Sequence, residues 1–244
     1  VRHARRLELP FRGERAFVLF DPEGRAPAPP FVAPEVVVAV LPERALERAG
    51  TWGILAGELG RGVVVGTPRL VTELRTALRL PDPVASASYF ASTGRLTLAA
   101  LAAGWIPTIA ADVAAVAQLG PAYPAALAAS RGLLESPDRA LAASLDQRMR
   151  LGPPPLHVRM YVACLALDRL GEAEEAGERW DRWNAALDAP THLTLESTAG
   201  AGRGFRPVPL DAQRVFAAVA PVVDAAAGRP LAAHTAGTGP ERRQ

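Results

Sequence analysis

The sequence predicts an α+β fold that is mostly α-helical, with a small β-sheet at its N-terminal end. Three observations predict it. The run Glu35-Val36-Val37-Val38-Ala39-Val40 is short, β-branched and bounded by Pro34 and Pro42, which is strand chemistry. Residues 96–129 are Ala-rich and carry one charge, Asp112, over a length no strand reaches. Beyond Pro153-Pro154-Pro155, apolar residues recur at helical spacing almost to the end of the chain.

In chain order, residues 5–20 read as two short strands around Arg12-Gly13-Glu14. Leu7, Leu9 and Phe11 alternate, and Ala16 to Phe20 run together. Asp21-Pro22-Glu23-Gly24 is a turn, and the Pro-rich residues 25–34 read as an extended connection to the strand at 35–40. Residues 43–61 turn helical, broken by Gly50 and Gly53. Val63-Val64-Val65 is a short apolar run closed by Gly66-Thr67-Pro68. Residues 69–80 fit an amphipathic helix with Leu70, Leu74, Leu78 and Leu80 near one face. Residues 96–129 read as a buried helix pair, interrupted at Gly104, Pro107, Gly120, Pro121 and Pro124, and no membrane span is expected. Residues 130–150 are a charged, helical connection. Helices follow at 156–170 and 172–187; Trp180 and Trp183 share a face of the second as packing aromatics. Residues 196–209 are a Gly/Arg/Pro loop. A last helix covers 210–227 with Leu210, Val215, Phe216, Val219 and Val223. The expected organisation is a β-rich part at 1–42, a helical domain at 43–227 and a disordered tail at 228–244.

Composition narrows the function classes. The chain has 244 residues, 49% hydrophobic and only 6% aromatic, so its core is built mainly from Ala, Leu and Val. All 27 basic residues are Arg, which with the abundant Ala, Pro and Gly reads as the coding bias of a GC-rich genome. The net charge is +2 and the two signs are interleaved, so no nucleic-acid footprint is expected. Cys164 is the only cysteine and reads as a small buried residue. No basic and apolar leader is visible at the start, so a cytoplasmic location is expected.

Several segments together carry a resemblance. The strand ends in Leu41-Pro42. About 15 residues later comes Leu55-Ala56-Gly57-Glu58-Leu59-Gly60-Arg61. Downstream are Trp105-Ile106-Pro107-Thr108-Ile109-Ala110-Ala111-Asp112, then Leu119-Gly120-Pro121-Ala122-Tyr123, then Pro153-Pro154-Pro155-Leu156-His157-Val158-Arg159. Their order and spacing over residues 35–170 resemble the gluzincin metallopeptidases, whose helix reads Leu-Ala-His-Glu-x-Gly-His. The resemblance implies a helical zincin-like domain with the small sheet packed on it. It implies a general-base position at Glu58, a third-ligand position at Thr108 and an acidic position one turn later at Asp112.

The departures all fall on zinc ligands. The two histidine positions hold Gly57 and Arg61, the third-ligand position holds Thr108, and Pro153 stands where a histidine precedes the Pro-Pro segment. A catalytic zinc needs about three N, O or S protein ligands, and Glu58 with Asp112 offers only hard oxygens. No metal or other cofactor is therefore expected. Arg61, one turn from Glu58, could bring a positive charge to the vacated position, or be an ordinary surface ion pair worth tenths of a kcal/mol. Asp112, a lone carboxylate in an uncharged run, needs a partner, with Arg159 and Arg61 the candidates. His157 beside the Pro-Pro segment is a further candidate binding residue, and reads more simply as a residue that packs or caps a helix start.

The expected function is that of a catalytically inactive, metallopeptidase-like binding or regulatory module with a protein or peptide partner. One alternative is a hydrolase that reuses the cleft, with Glu58 and Asp112 as an acid/base or cation-binding pair. Another is an unrelated Ala-rich helical protein. A phosphate-binding reading of Gly57 to Gly62 lacks the Gly-Lys-Ser/Thr of a P-loop, and no Gly-x-Ser-x-Gly supports a serine hydrolase.

Overall fold

The computed structural model describes residues 15–21, 28–33, 36–42, 57, 68–82, 97–129, 154–187, 191–195 and 208–228. Among these the chain is mostly helical with two small sheets. The first sheet holds β1 (Arg15–Asp21), β2 (Ala28–Ala33) and β3 (Val36–Pro42) in the order β1-β3-β2. The Val-rich β3 is central, parallel to β1 from Arg15↔Val36 to Asp21↔Pro42 and antiparallel to β2. The Pro-rich segment expected to be a connection is thus a paired strand. Its register shifts between Ala28 and Phe31, where Pro29 and Pro30 lie. Proline has no N–H to donate to the ladder, which suits an edge strand and an irregular register. The side chains of this sheet, and its expected packing on the helices, lie outside the described residues.

Among the described residues the longer helices are α1 (Pro68–Ala77), α2 (Leu98–Leu119), α3 (Ala122–Ala129), α4 (Leu156–Arg169), α5 (Ala173–Leu187) and α6 (Ala212–Ala227). Two short strands, β4 (His192–Leu195) and β5 (Val208–Asp211), pair antiparallel between α5 and α6. The expected loop at 196–209 therefore ends in a strand.

The core forms around α2. Thr97 caps its start, its hydroxyl accepting from the Ala100 N–H at 3.1 Å. From there α2 runs unbroken for 22 residues through Gly104 and Pro107, both expected to interrupt it. Pro107 removes one backbone donor, yet it is buried among α2's neighbours, and packing on this scale outweighs a local defect. The helix is long and apolar enough to cross a membrane, but 83% of its most apolar window is buried inside the protein. It packs most extensively on α6, then on α4, with α1 and α3 at its flanks. Leu74 of α1, Ile106 and Ile109 of α2, Val162 and Leu167 of α4, and Val219 and Val222 of α6 are all fully enclosed. Burying each such side chain is worth about 1.5–3 kcal/mol. Cys164 lies in this core, and burial pushes its thiol up to about 12.

Two devices set the ends of α2 and α6. Gly120 closes α2 with φ 54 and ψ −138 and donates to the Val116 carbonyl. Asp211 begins α6, its carboxylate accepting from the Arg214 N–H at 3.0 Å. Arg169 at the end of α4 reaches Asp224 of α6 at 2.7 Å and ties the two helices at the surface.

Candidate functional site

Asp112 sits in the most apolar helix of the chain with no exposed surface at all. An isolated carboxylate there would cost far more than the fold can spare, so it must be paired. Arg159, in the first turn of α4, is the partner. Its Nε donates to Asp112 Oδ2 at 3.0 Å and its Nη2 to Oδ1 at 2.7 Å. This two-pronged geometry is the strong form of the interaction, and both side chains are buried. Tyr123 completes the cluster. Its hydroxyl donates to Asp112 Oδ1 and accepts from Arg159 Nη2 at 2.9 Å.

The local sequence explains how three distant residues meet. Gly120 takes a positive φ that a Cβ would disfavour, and Pro121 follows it, so α3 turns back sharply from the end of α2. The Tyr123 N–H returns to the Gly120 carbonyl at 3.2 Å. This brings the phenol over Asp112, three turns back along α2. Pro154 and Pro155 deliver α4 at its first turn, so Arg159 enters the same pocket from the opposite side.

A fourth residue meets the cluster. Gly57 is helical and buried, and a Cβ built on it would fall well inside contact distance of the Tyr123 hydroxyl and 3.1 Å from its Cζ. The phenol is not free to yield, since it is fully enclosed and held by Asp112 and Arg159. Glycine is the residue that fits here. Gly57, Asp112, Tyr123 and Arg159 come from the four separate segments that follow the strand in the resemblance described above, and they converge on one point.

The remaining candidates distribute differently. Thr108 is buried on α2 one turn before Asp112. Glu58 and Arg61 lie outside the described residues. His157 is not part of the Asp112 cluster. It is two residues before Arg159, about 200° around α4, and so faces the other side of the helix. There its ring lies 5.2 Å from Trp180 and 5.4 Å from Phe216, and Tyr161 stacks on Phe216 at 4.3 Å. The Trp183 indole N–H donates to His157 Nδ1 at 2.9 Å. That bond needs an unprotonated Nδ1, and burial lowers the imidazole to about 4. His157 is therefore held as a neutral ring within an aromatic core. A packing role for this ring was one sequence reading, but its partners were not foreseeable, because Trp180, Trp183 and Phe216 arrive from two other helices.

Tyr123 is the site residue that sequence reasoning missed. Its segment carried part of the resemblance, but nothing in the spacing announced that its hydroxyl would serve Asp112. Among the described residues no group of three His, Cys, Asp or Glu is placed to hold a metal ion. Both oxygens of Asp112 accept bonds from arginine or tyrosine. No family model, no curated protein and no solved structure matches the chain.

Proposed function

We propose that this chain is a non-catalytic derivative of a gluzincin-like scaffold that acts as a binding or regulatory module for a protein or peptide partner. One observation carries the proposal: the Tyr123 phenol occupies the space that any side chain at position 57 would need. In the resemblance, position 57 belongs to the first zinc-binding histidine. Here the phenol, the Asp112 carboxylate and the Arg159 guanidinium fill that neighbourhood with a closed hydrogen-bonded cluster. A positive guanidinium beside a buried acid replaces the charge a metal would supply there. The hydrolase alternative needs Asp112 as one of two working carboxylates, and its complete burial speaks against it.

The test is metal content by inductively coupled plasma mass spectrometry, on untagged protein grown with added zinc. Zinc well below one per chain is expected. One tightly held zinc per chain would overturn the reading. Restoration gives a second arm: the Gly57→His/Arg61→His variant should be destabilised and still fail to take up zinc. Stoichiometric zinc in that variant would mean that Tyr123 yields its place and does not block the site.

A further inference from the structure

The aromatic core around His157 is closed on the inside and partly open at its rim. His157, Trp183 and Phe216 are buried, whereas Tyr161 and Trp180 keep part of their surface in solvent. Tyr161 and Leu165 follow His157 at four-residue steps along α4, so the three share one stripe. α5 and α6 pack on α4 far more than on each other, and the stripe lies between them. The Tyr161 ring stacks on Phe216 and stands edge-on to Trp180, 5.7 Å away at 69°.

Each rim ring carries a donor without a partner. The Trp183 indole N–H is taken by His157. Among the described residues, neither the Trp180 indole N–H nor the Tyr161 hydroxyl has a hydrogen bond, and both atoms retain accessible surface. The stripe ends two turns on at Arg169, which is already paired with Asp168 at 2.6 Å and Asp224 at 2.7 Å. The rim therefore offers flat apolar rings with free donors, and the charge at its end is answered.

We propose that this rim binds a proline-rich peptide in the extended polyproline conformation. Such a chain has no internal hydrogen bonds, and its carbonyls outnumber its N–H groups. Its pyrrolidine rings lie on Tyr161 and Trp180, and its carbonyls accept from the free O–H and N–H. A peptide that pairs as a strand needs backbone acceptors as well as donors, and a helix keeps its own backbone groups paired internally. The inference takes from the proposal above only that the chain is a binding module. It uses none of Gly57, Asp112, Tyr123 or Arg159, so bound zinc would overturn the earlier reading and leave this one standing.

The probe is a blocked decaproline peptide, titrated into the full chain by calorimetry, with a blocked Gly-Ser peptide of equal length as control. Decaproline should bind at least tenfold more tightly than the control. Tyr161→Phe and Trp180→Phe each keep an aromatic ring and remove one donor. Each should weaken decaproline at least threefold, and the double variant at least tenfold, with the circular dichroism spectrum intact. Equal binding of the two peptides would overturn the proposal, as would full decaproline affinity in the double variant. Self-association of the chain in sedimentation, abolished by the double variant, would assign the rim to a second copy and overturn the peptide reading. The comparison of the two peptides on the unaltered chain decides the matter even if the double variant fails to fold.

Discussion

At the scale of single residues, Gly57 and Tyr123 make the sharpest prediction. Replacing a helical glycine by alanine ordinarily stabilises by up to about 1 kcal/mol. Here the added methyl meets a pinned phenol, and overpacking of this kind costs about 1–3 kcal/mol. Gly57→Ala should therefore destabilise the protein in urea unfolding. In a Tyr123→Phe background, which removes the clashing hydroxyl, the same substitution should cost little. A coupling of about 1 kcal/mol or more between the two sites is expected, and additivity would deny the contact. Asp112 and Arg159 belong to the same scale. Arg159→Met strands a buried carboxylate and should cost roughly 3–5 kcal/mol, whereas Asp112→Leu combined with Arg159→Met should recover much of that loss. The need of Asp112 for an arginine was legible in the sequence, because one charge in a long apolar run must be answered. Which arginine answers was not, since Arg159 lies 47 residues away and only the packing of α4 on α2 selects it.

At the scale of elements, helix positions were readable and interruptions were readable only in part. The Ala-rich run became α2 and α3, and the break fell at Gly120-Pro121, two of the five expected positions. Gly104 and Pro107 are local weaknesses that a helix packed on several sides absorbs, whereas Gly120 adopts a backbone conformation that other residues resist. Gly120→Ala should accordingly cost about 1–3 kcal/mol even though its Cβ would meet no atom within 4 Å. A full-strength melting transition in that variant would show that the turn between α2 and α3 does not depend on glycine. The short strands β4 and β5 escaped the sequence reading for a related reason. Neither has an alternating pattern long enough to register, and Pro209 argues against a strand at all. Their pairing is decided by each other across the segment between them.

At the scale of the whole molecule, the aromatic core links stability to pH. His157 is neutral in the folded chain, with its imidazole lowered to about 4 from an unfolded value of 6.5. Below 6.5 the unfolded chain takes up a proton that the folded chain refuses, so stability is fully present above 6.5 and is lost as the pH falls toward 4. The loss from this residue amounts to at most about 3 kcal/mol. Denaturant unfolding at pH 7 and pH 4.5 should show it, and His157→Gln should remove the difference due to this residue. An unchanged slope in that variant would place the acid sensitivity elsewhere. The mostly helical character of the chain was legible from periodicity because it is a property of neighbours in sequence. The two clusters, one polar and one aromatic, on opposite faces of α4 were not, because they are properties of neighbours in space.

The burial of α2 also has a consequence for how the protein is made. Its most extensive partner, α6, begins only at Ala212, long after α2 ends at Leu119, so this apolar segment leaves the ribosome well before the surface that shields it. During that interval a nascent chain displays a stretch with the length and greasiness of a membrane anchor. Chaperones that hold such stretches, and the insertion machinery that mistakes them for cargo, would meet this protein before it has folded. A stop codon placed ahead of Ala212 would make that brief exposure permanent, turning a core helix into a mark for degradation.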